Sequence, residues 1–154
     1  MTPVILELPG GPVTFRRLVL DFTGTLSLGG ELIPGVAERL RKVSERLTVT
    51  VVTADTFGSA REQLKGLPVG IELIGDGREK ADVVSGLGPD TLIAVGNGRN
   101  DAPMMGIAGL GIAIMGPEGA AAELLSEADV VVHDINHALD LVLDPLRVKA
   151  TLRD

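Results

Sequence analysis

Three short polar segments of this sequence each follow an apolar run. Residues 21–25 (DFTGT) follow a run that ends at Leu20, residues 53–55 (TAD) follow one that ends at Val52, and residues 96–101 (GNGRND) follow one that ends at Val95. In an open α/β sheet, ligands bind at the carboxyl ends of the strands. If the three runs are strands of one parallel sheet, we expect these segments to meet in a single crevice.

The residue types in these segments suit phosphoryl transfer. The Asp21 carboxylate could attack phosphorus and form an aspartyl-phosphate. The Thr53 hydroxyl and the Lys80 ammonium could bind the remaining phosphate oxygens. Gly24 would let backbone N–H groups approach the same oxygens closely. Together these groups would hold and attack one phosphoryl group.

The same segments also contain oxygen ligands for a hard cation. Asp21 and Asp101 provide two carboxylates, and Asn97 could contribute an amide oxygen directly or through water. Mg²⁺ in proteins takes one or two carboxylates and keeps several waters. Such an ion would neutralise charge between the nucleophile and the phosphate. The sequence therefore predicts a Mg²⁺-dependent site.

Four motifs in this order resemble those of the haloacid dehalogenase (HAD) superfamily. DFTGTLS is similar to its first motif, VVTAD to the second, Lys80 in REKADVV to the third and GNGRNDAPMM to the fourth. The likeness is strongest to the phosphorylation domain of P-type ATPases, which carries Asp-Lys-Thr-Gly-Thr, Thr-Gly-Asp and Gly-Asp-Gly-x-Asn-Asp-Ala-Pro. It covers roughly residues 14–145. The resemblance implies a soluble, stand-alone relative that hydrolyses phosphate monoesters or acyl phosphates.

The resemblance also assigns roles to individual residues. The implied catalytic residues are Asp21, Thr23, Thr53 and Lys80. The implied phosphate-binding residues are Gly24, Thr25, Thr53, Ala54, Lys80 and Asn100. The implied Mg²⁺ ligands are Asp21, the backbone carbonyl of Thr23, Asn97 and Asp101.

Two positions depart from the pattern of phosphatases in this superfamily. Thr23 stands where those enzymes have an acid–base Asp, and loss of such a group costs about 10²–10⁴ in rate. Asn97 stands where the family has Asp, so one negative charge at the metal is lost. We therefore expect slow hydrolysis, a long-lived phosphoenzyme and weak metal binding. The alternatives are a phosphate-binding regulatory module, or an accessory protein with little or no turnover.

Apolar runs alternate with helical patterns along the chain, which predicts βαβ units and a doubly wound three-layer sandwich with a mainly parallel sheet. Residues 13–20 could either close a hairpin with residues 4–8 or lead from an edge strand into a central one. The other predicted strands are 48–52, 69–74, 91–95, 111–114 and 130–132. The predicted helices are 34–47, 56–65, 79–87, 102–108, 119–126 and 137–143.

Composition supports a single α/β domain over residues 1–154. The chain is 45% hydrophobic but only 2% aromatic, so its core must be aliphatic, as in buried parallel strands. The net charge of −7 argues against nucleic-acid binding through a basic surface. No apolar stretch is long enough to insert in a membrane and no signal peptide is recognisable, so we expect a cytoplasmic protein.

The segments in which relatives insert a cap are short here. Residues 27–34 have room only for a loop or a small hairpin, and the segment 67–80 is also short. We therefore expect a capless domain with an open site that accepts a phosphorylated small molecule or a phosphoprotein. An open site can also be closed by a partner subunit, so we predict a homo-oligomer.

Overall fold

The computed structural model describes residues 2–55 and 58–154. Two antiparallel strands, β1 (Val4–Leu8) and β2 (Gly11–Phe15), form a hairpin at the start of the chain. The central strand β3 (Arg17–Asp21) is separate, because Arg16 leaves the hairpin ladder: its N–H donates to Thr91 and its carbonyl accepts from Thr48. Residues 13–15 therefore close the predicted hairpin, whereas residues 17–20 belong to the central strand, so the predicted strand 13–20 is divided between the two alternatives.

Six strands form one parallel sheet in the order β10-β9-β8-β3-β6-β7. Besides β3, these are β6 (Thr48–Thr53), β7 (Gly70–Leu73), β8 (Leu92–Gly96), β9 (Leu110–Ile114) and β10 (Val130–Val132). From β3 the chain builds outward to β6 and β7, then returns to add β8, β9 and β10 on the other side of β3. The order thus reverses between β3 and β8, the place where such sheets form a ligand crevice.

A second, two-stranded hairpin follows the central strand. It consists of β4 (Ser27–Leu28) and β5 (Glu31–Leu32), joined by Gly29 and Gly30, both at positive φ. This confirms the expectation that residues 27–34 hold at most a small hairpin.

Helices cover both faces of the sheet. On one face, alternate residues such as Leu18 and Leu20 pack against α1 (Val36–Ser44), α2 (Ser59–Gln63), α6 (Ile135–Leu143) and α7 (Pro145–Leu152). On the other, Val19 and its neighbours face α3 (Glu79–Gly86) and α4 (Ala102–Ile107), and α5 (Ala122–Glu127) packs with α4 over β9. The predicted three-layer sandwich is confirmed.

Several helix boundaries differ from the prediction for identifiable reasons. The first helix begins at Val36 rather than Pro34, because Gly35 has φ 91° and cannot be helical. The predicted helix 56–65 is observed only as Ser59–Gln63, after Gly58 at φ 73°, and residues 56 and 57 lie outside the described part. The fifth begins at Ala122 rather than Gly119, because Gly119 has φ 72° and lies in a turn closed by Gly116.

The last helix was missed entirely. The sequence pattern predicts no helix after residue 143, but the chain continues into α7, whose first residue is Pro145. Proline suits that position because its fixed φ is helical and its missing N–H would have no partner there. Throughout residues 2–55 and 58–154, no helix combines the length and apolar character that a membrane crossing needs.

Candidate active site

Most of the predicted polar residues lie at or just after strand ends, along one edge of the sheet. Asp21 is the last residue of β3, and Thr53 is the last of β6. The segment after β8 supplies Asn97 and Asp101, and Lys80 lies in the first turn of α3. These elements converge because parallel strands present their carboxyl ends at the same edge.

Lys80 joins two carboxylates at the floor of the site. Its ammonium nitrogen Nζ lies 2.7 Å from Asp21 Oδ1 and 2.8 Å from Asp101 Oδ1. The three residues are buried, with exposed fractions of 7% for Asp21, 3% for Lys80 and 0% for Asp101. A third contact, at 3.4 Å, runs from Lys80 Nζ to Asn100 Oδ1. The pKa of Lys80 is lowered by burial but raised more strongly by Asp21 and Asp101, so it stays above its ordinary value.

The Asp21 carboxyl is held in an environment that disfavours its charge. Burial and the nearby Asp101 carboxylate raise its pKa, Lys80 and Thr25 lower it, and the outcome is a pKa of about 6. Thr25 donates a hydrogen bond of 3.0 Å to Asp21 Oδ2 and is fully buried. When Asp21 is ionised, its neighbours do not fully compensate its negative charge. A bound cation would stabilise that ionised carboxylate.

Asp101 is enclosed on all sides. Its Oδ1 binds Lys80, and its Oδ2 accepts from the backbone N–H groups of Asn97 and Gly98 at 3.1 and 3.0 Å. A Cβ on Gly96 would clash with the same oxygen, so this position requires glycine. The structure thus places Asp101 as a group that positions Lys80 and the loop after β8.

Asn97 contacts Thr25, the residue that donates to the nucleophile. Its Oδ1 is 3.5 Å from the Thr25 hydroxyl, and its Nδ2 donates to the carbonyl of Gly119 at 3.3 Å. Both oxygens of Asp101 have hydrogen-bond partners, as do those of Asp21, and the roles of Asn97 and Asp101 as metal ligands stay predictions. Within residues 2–55 and 58–154, no three His, Cys, Asp or Glu side chains are grouped to hold a metal.

A cleft of about 860 Å³ opens above this floor. Asp21, Thr23, Thr53, Ala54, Lys80, Asn97 and Asn100 all line it, as the motifs predicted. Thr53 is almost buried, and its Oγ1 accepts from the Asp55 N–H at 3.1 Å. Asp55 itself has φ 43°, and its Oδ1 accepts from Ala60 N at 2.8 Å, which ties Asp55 to α2.

Gly24 and Thr25 lie behind the nucleophile instead of lining this cleft. The Gly24 N–H donates to the Ser27 carbonyl, and the Thr25 hydroxyl is used by Asp21. In this arrangement the two residues shape the nucleophile's loop, and their contact with phosphate stays a prediction.

Several cleft residues were not identified from the sequence. Glu31 and the Gly29-Gly30 turn come from the β4–β5 hairpin, Ser59 comes from α2, and Glu118 comes from the loop after β9. Glu118 could have been predicted, since the loop that follows β9 also begins at the carboxyl edge of the sheet. Glu31 carried no such signal, because a hairpin inserted after the nucleophile can lie anywhere around the site.

Comparison with solved structures gives the same fold. The 3-deoxy-D-manno-octulosonate (KDO) 8-phosphate phosphatase of Moraxella catarrhalis, in complex with magnesium, phosphate and KDO, has a TM-score of 0.74 at 15% identity, over 89% of this chain and 90% of that one. The cobalt-bound enzyme of Haemophilus influenzae has a TM-score of 0.71 at 13% identity, over 91% and 94%. A protein of Streptomyces avermitilis whose name places it in the HAD family of hydrolases has a TM-score of 0.68 at 17% identity, over 90% and 87%.

These likenesses and the arrangement of the site define the class: the fold is that of the HAD hydrolases, as the four motifs predicted. The chain belongs to the same family as the uncharacterized protein MJ0073 of Methanocaldococcus jannaschii, with which it is 51% identical over 63 residues, 41% of this chain and 68% of that protein. The sequence matches no known family profile. The further likeness to P-type ATPases stays a prediction, because these comparisons do not show it.

Proposed function

We propose that this chain is a divalent-metal-dependent phosphohydrolase that works through an aspartyl-phosphate on Asp21. The observation that carries the proposal is the buried Asp21–Lys80–Asp101 cluster at the floor of an open cleft. Burying two carboxylates and an ammonium costs free energy that hydrophobic packing would not, so such a cluster is a candidate for function. The cluster lies where the strand order reverses, which is where such sheets bind ligands, and this position also supports a function.

The residues divide the chemistry between them. Asp21 attacks phosphorus, the bond from phosphorus to the leaving oxygen breaks, and a phosphoryl group is left on the carboxylate. Lys80 stabilises the transferred group, with Thr53 and Asn100 lining the same cleft. Water then attacks the phosphorus of the aspartyl-phosphate, which releases phosphate and restores Asp21.

A metal ion fits the oxygen set of this site. Asp21, the Thr23 carbonyl, Asn97 and Asp101 would hold it, and two carboxylates among few protein ligands are what Mg²⁺ accepts. When bound, the ion supplies positive charge against the phosphate oxygens. The neighbouring phosphatase structures with magnesium and with cobalt support a divalent cation.

Thr23 makes both half-reactions depend on solvent for proton transfer. It lines the cleft close to Asp21 in sequence, but a threonine hydroxyl cannot act as a carboxylic acid at neutral pH. The leaving oxygen and the attacking water therefore exchange their protons with solvent. Substrates with good leaving groups, such as aryl or acyl phosphates, would react fastest.

The decisive experiment is hydrolysis of an aryl phosphate by the wild type and by Asp21→Asn, each with Mg²⁺ and with chelator. We expect release of phosphate that needs both Asp21 and the metal. Activity that survives in Asp21→Asn would overturn the aspartyl-phosphate mechanism.

A phosphate-binding regulatory module is the second candidate, because Thr23 and Asn97 both replace acidic groups of active relatives. Wild-type protein that binds beryllofluoride with Mg²⁺, yet releases no phosphate from any ester or acyl phosphate, would favour this module over the enzyme.

A further inference from the structure

The walls of the cleft carry an uneven charge. Of the described residues that line it, Lys80 is the only basic one, and it is buried between Asp21 and Asp101. Three further carboxylates line the cleft, Glu31, Asp55 and Glu118. We call these three residues the acidic rim.

The acidic rim comes from three separate loops. Glu31 lies on the hairpin after β3, Asp55 on the loop after β6 and Glu118 on the loop after β9. Because β9 and β6 lie on opposite sides of β3 in the sheet, the rim carboxylates flank the nucleophile from both sides. A group that leaves Asp21 toward solvent must therefore pass through their combined field.

Two arginines that are sequence neighbours of cleft residues are paired elsewhere. Arg78 and Arg99 adjoin residues of the cleft but do not line it. Arg78 pairs with Asp76 and Arg99 pairs with Glu123, at 3.0 and 2.9 Å. Both guanidinium side chains are more than four-fifths exposed, at 89% and 84%. The mouth of the cleft thus keeps a net negative charge, in keeping with the net charge of −7 of the whole chain.

We propose that the acidic rim selects phosphomonoesters whose leaving group carries a positive charge, such as aminoalkyl phosphates, over those whose leaving group carries a carboxylate. The inference rests on the proposed function, since it assumes that the phosphate sits against Asp21 and Lys80. With the phosphate on the floor, the leaving group points outward to Glu31, Asp55 and Glu118. A cationic group is attracted there and an anionic one is repelled.

The acidic rim also disfavours the ester after which the neighbouring phosphatases are named. 3-Deoxy-D-manno-octulosonate 8-phosphate, named in the neighbouring phosphatases, bears a carboxylate on its leaving group. The acidic rim offers that carboxylate no basic partner. This chain is therefore expected to hydrolyse that ester poorly, although it shares the fold.

The expected preference is modest and sensitive to salt. Glu31 and Glu118 are exposed, and exposed charge pairs are screened by water and ions. Three such contacts together correspond to about a tenfold difference in kcat/KM between a cationic and an anionic ester. Raising the ionic strength should reduce that difference in kcat/KM.

The test uses three esters of similar size: O-phosphoethanolamine, 2-hydroxyethyl phosphate and phosphoglycolate, whose leaving groups are cationic, neutral and anionic. The kcat/KM of each is measured with Mg²⁺ at pH 7.5, in low and high salt. The affinity of each for Asp21→Asn is measured by calorimetry, which needs no turnover. We expect both quantities to fall in the order cationic, neutral, anionic.

The rim variant is the triple substitution Glu31→Gln, Asp55→Asn and Glu118→Gln. Each change keeps the shape of the side chain, and an amide oxygen at position 55 can still accept from Ala60 N. The preference should shrink to within about twofold in this variant. The control carries Glu45→Gln, Asp90→Asn and Glu127→Gln, which remove the same charge away from the cleft, and it should keep the wild-type order.

Each outcome has a separate meaning. An equal or reversed order of the three esters, in turnover or in binding, would overturn the rim's role while leaving the phosphohydrolase proposal intact. An unchanged order in the rim variant would do the same. Absence of turnover for every ester, with the charge order retained in binding, would overturn the enzyme proposal and support the rim as a binding determinant.

Discussion

Lys80 Nζ lies 2.8 Å from Asp101 Oδ1, and no part of Asp101 reaches solvent. The same ammonium contacts Asp21 Oδ1 at 2.7 Å, so two buried carboxylates share one cation. This relationship links the stability of the domain to its proposed chemistry, because removing Lys80 leaves both negative charges buried without a counter-charge.

Lys80→Ala should therefore destabilise the protein strongly. Breaking a buried ion pair by removing one partner typically costs about 3–5 kcal/mol. Urea unfolding at pH 7.5 followed by circular dichroism would measure the loss. Lys65→Ala is the matched control, since Lys65 is exposed and should change stability by less than about 0.5 kcal/mol. A loss below about 1 kcal/mol for Lys80→Ala would contradict the arrangement.

The raised pKa of Asp21 gives the stability of the metal-free protein a defined pH dependence. The pKa is about 6 in the folded protein against 3.8 in the reference state, mainly because of burial and secondly because of Asp101. The folded state then binds more protons than the unfolded state between these values, so this group's contribution to stability falls as pH rises from about 4 to 6. Asp21→Asn removes this effect.

Unfolding should be compared for the wild type and Asp21→Asn, both in chelator, at pH 5 and pH 7.5. We expect the free energy of unfolding of Asp21→Asn, relative to that of the wild type, to increase by about 1 kcal/mol from pH 5 to pH 7.5. Added Mg²⁺ should reduce this difference in the free energy of unfolding, since a cation favours the ionised carboxylate. A gap that stays constant with pH would show that the Asp21 pKa is not raised.

Asn97→Asp should tighten metal binding. Asn97 lies beside Thr25 and Asp21, and a carboxylate there would restore one negative charge to the proposed metal site. An increase of about tenfold in Mg²⁺ affinity, measured by isothermal titration calorimetry, is expected from the added ligand charge. Gln63→Glu on α2 adds the same charge and should leave the affinity unchanged. Equal affinity in Asn97→Asp would mean that this side chain does not reach the metal.

Thr23→Asp should speed the release of phosphate from the phosphoenzyme. The new carboxyl would line the cleft and could exchange protons with the leaving group and with water. An increase of about 10²-fold in kcat for alkyl phosphates is expected, measured by phosphate release under saturating substrate. Ser59→Asp adds a carboxylate elsewhere in the same cleft and should produce no such gain. A similar rate for both variants would argue against a missing acid–base group.

The central sheet could be predicted because its strands are short apolar runs, rich in β-branched residues and bounded by turn signals. Residues 130–132 match β10 without correction, and residues 48–52 match β6 to within one residue. The prediction was less accurate where glycines at positive φ set helix starts, as at Gly35 and Gly119. Such a conformation depends on the path of the chain in three dimensions, which residue type alone does not specify.

Most residues of the candidate site could be predicted from the sequence, but the contacts that each of them makes could not. Asp21 and Thr53 at strand ends and Lys80 at the start of a helix line one cleft. The enclosure of Asp101 by Lys80 and two backbone N–H groups needs the turn after β8, which the sequence did not specify. The approach of Glu31 and Glu118 likewise depends on loops whose shape is set by packing.

The turn at Gly29 and Gly30 bears on how this fold can diversify. Both glycines have positive φ, border the cleft, and have no atoms within 4 Å of where a Cβ would lie. Additional residues inserted at this turn would meet little steric obstruction and would extend over the substrate. The entropic penalty of lengthening a loop rises slowly, by about 0.6 kcal/mol for each doubling of its length. The hairpin is thus a ready point at which evolution or design could graft a covering module that changes selectivity without rebuilding the nucleophile.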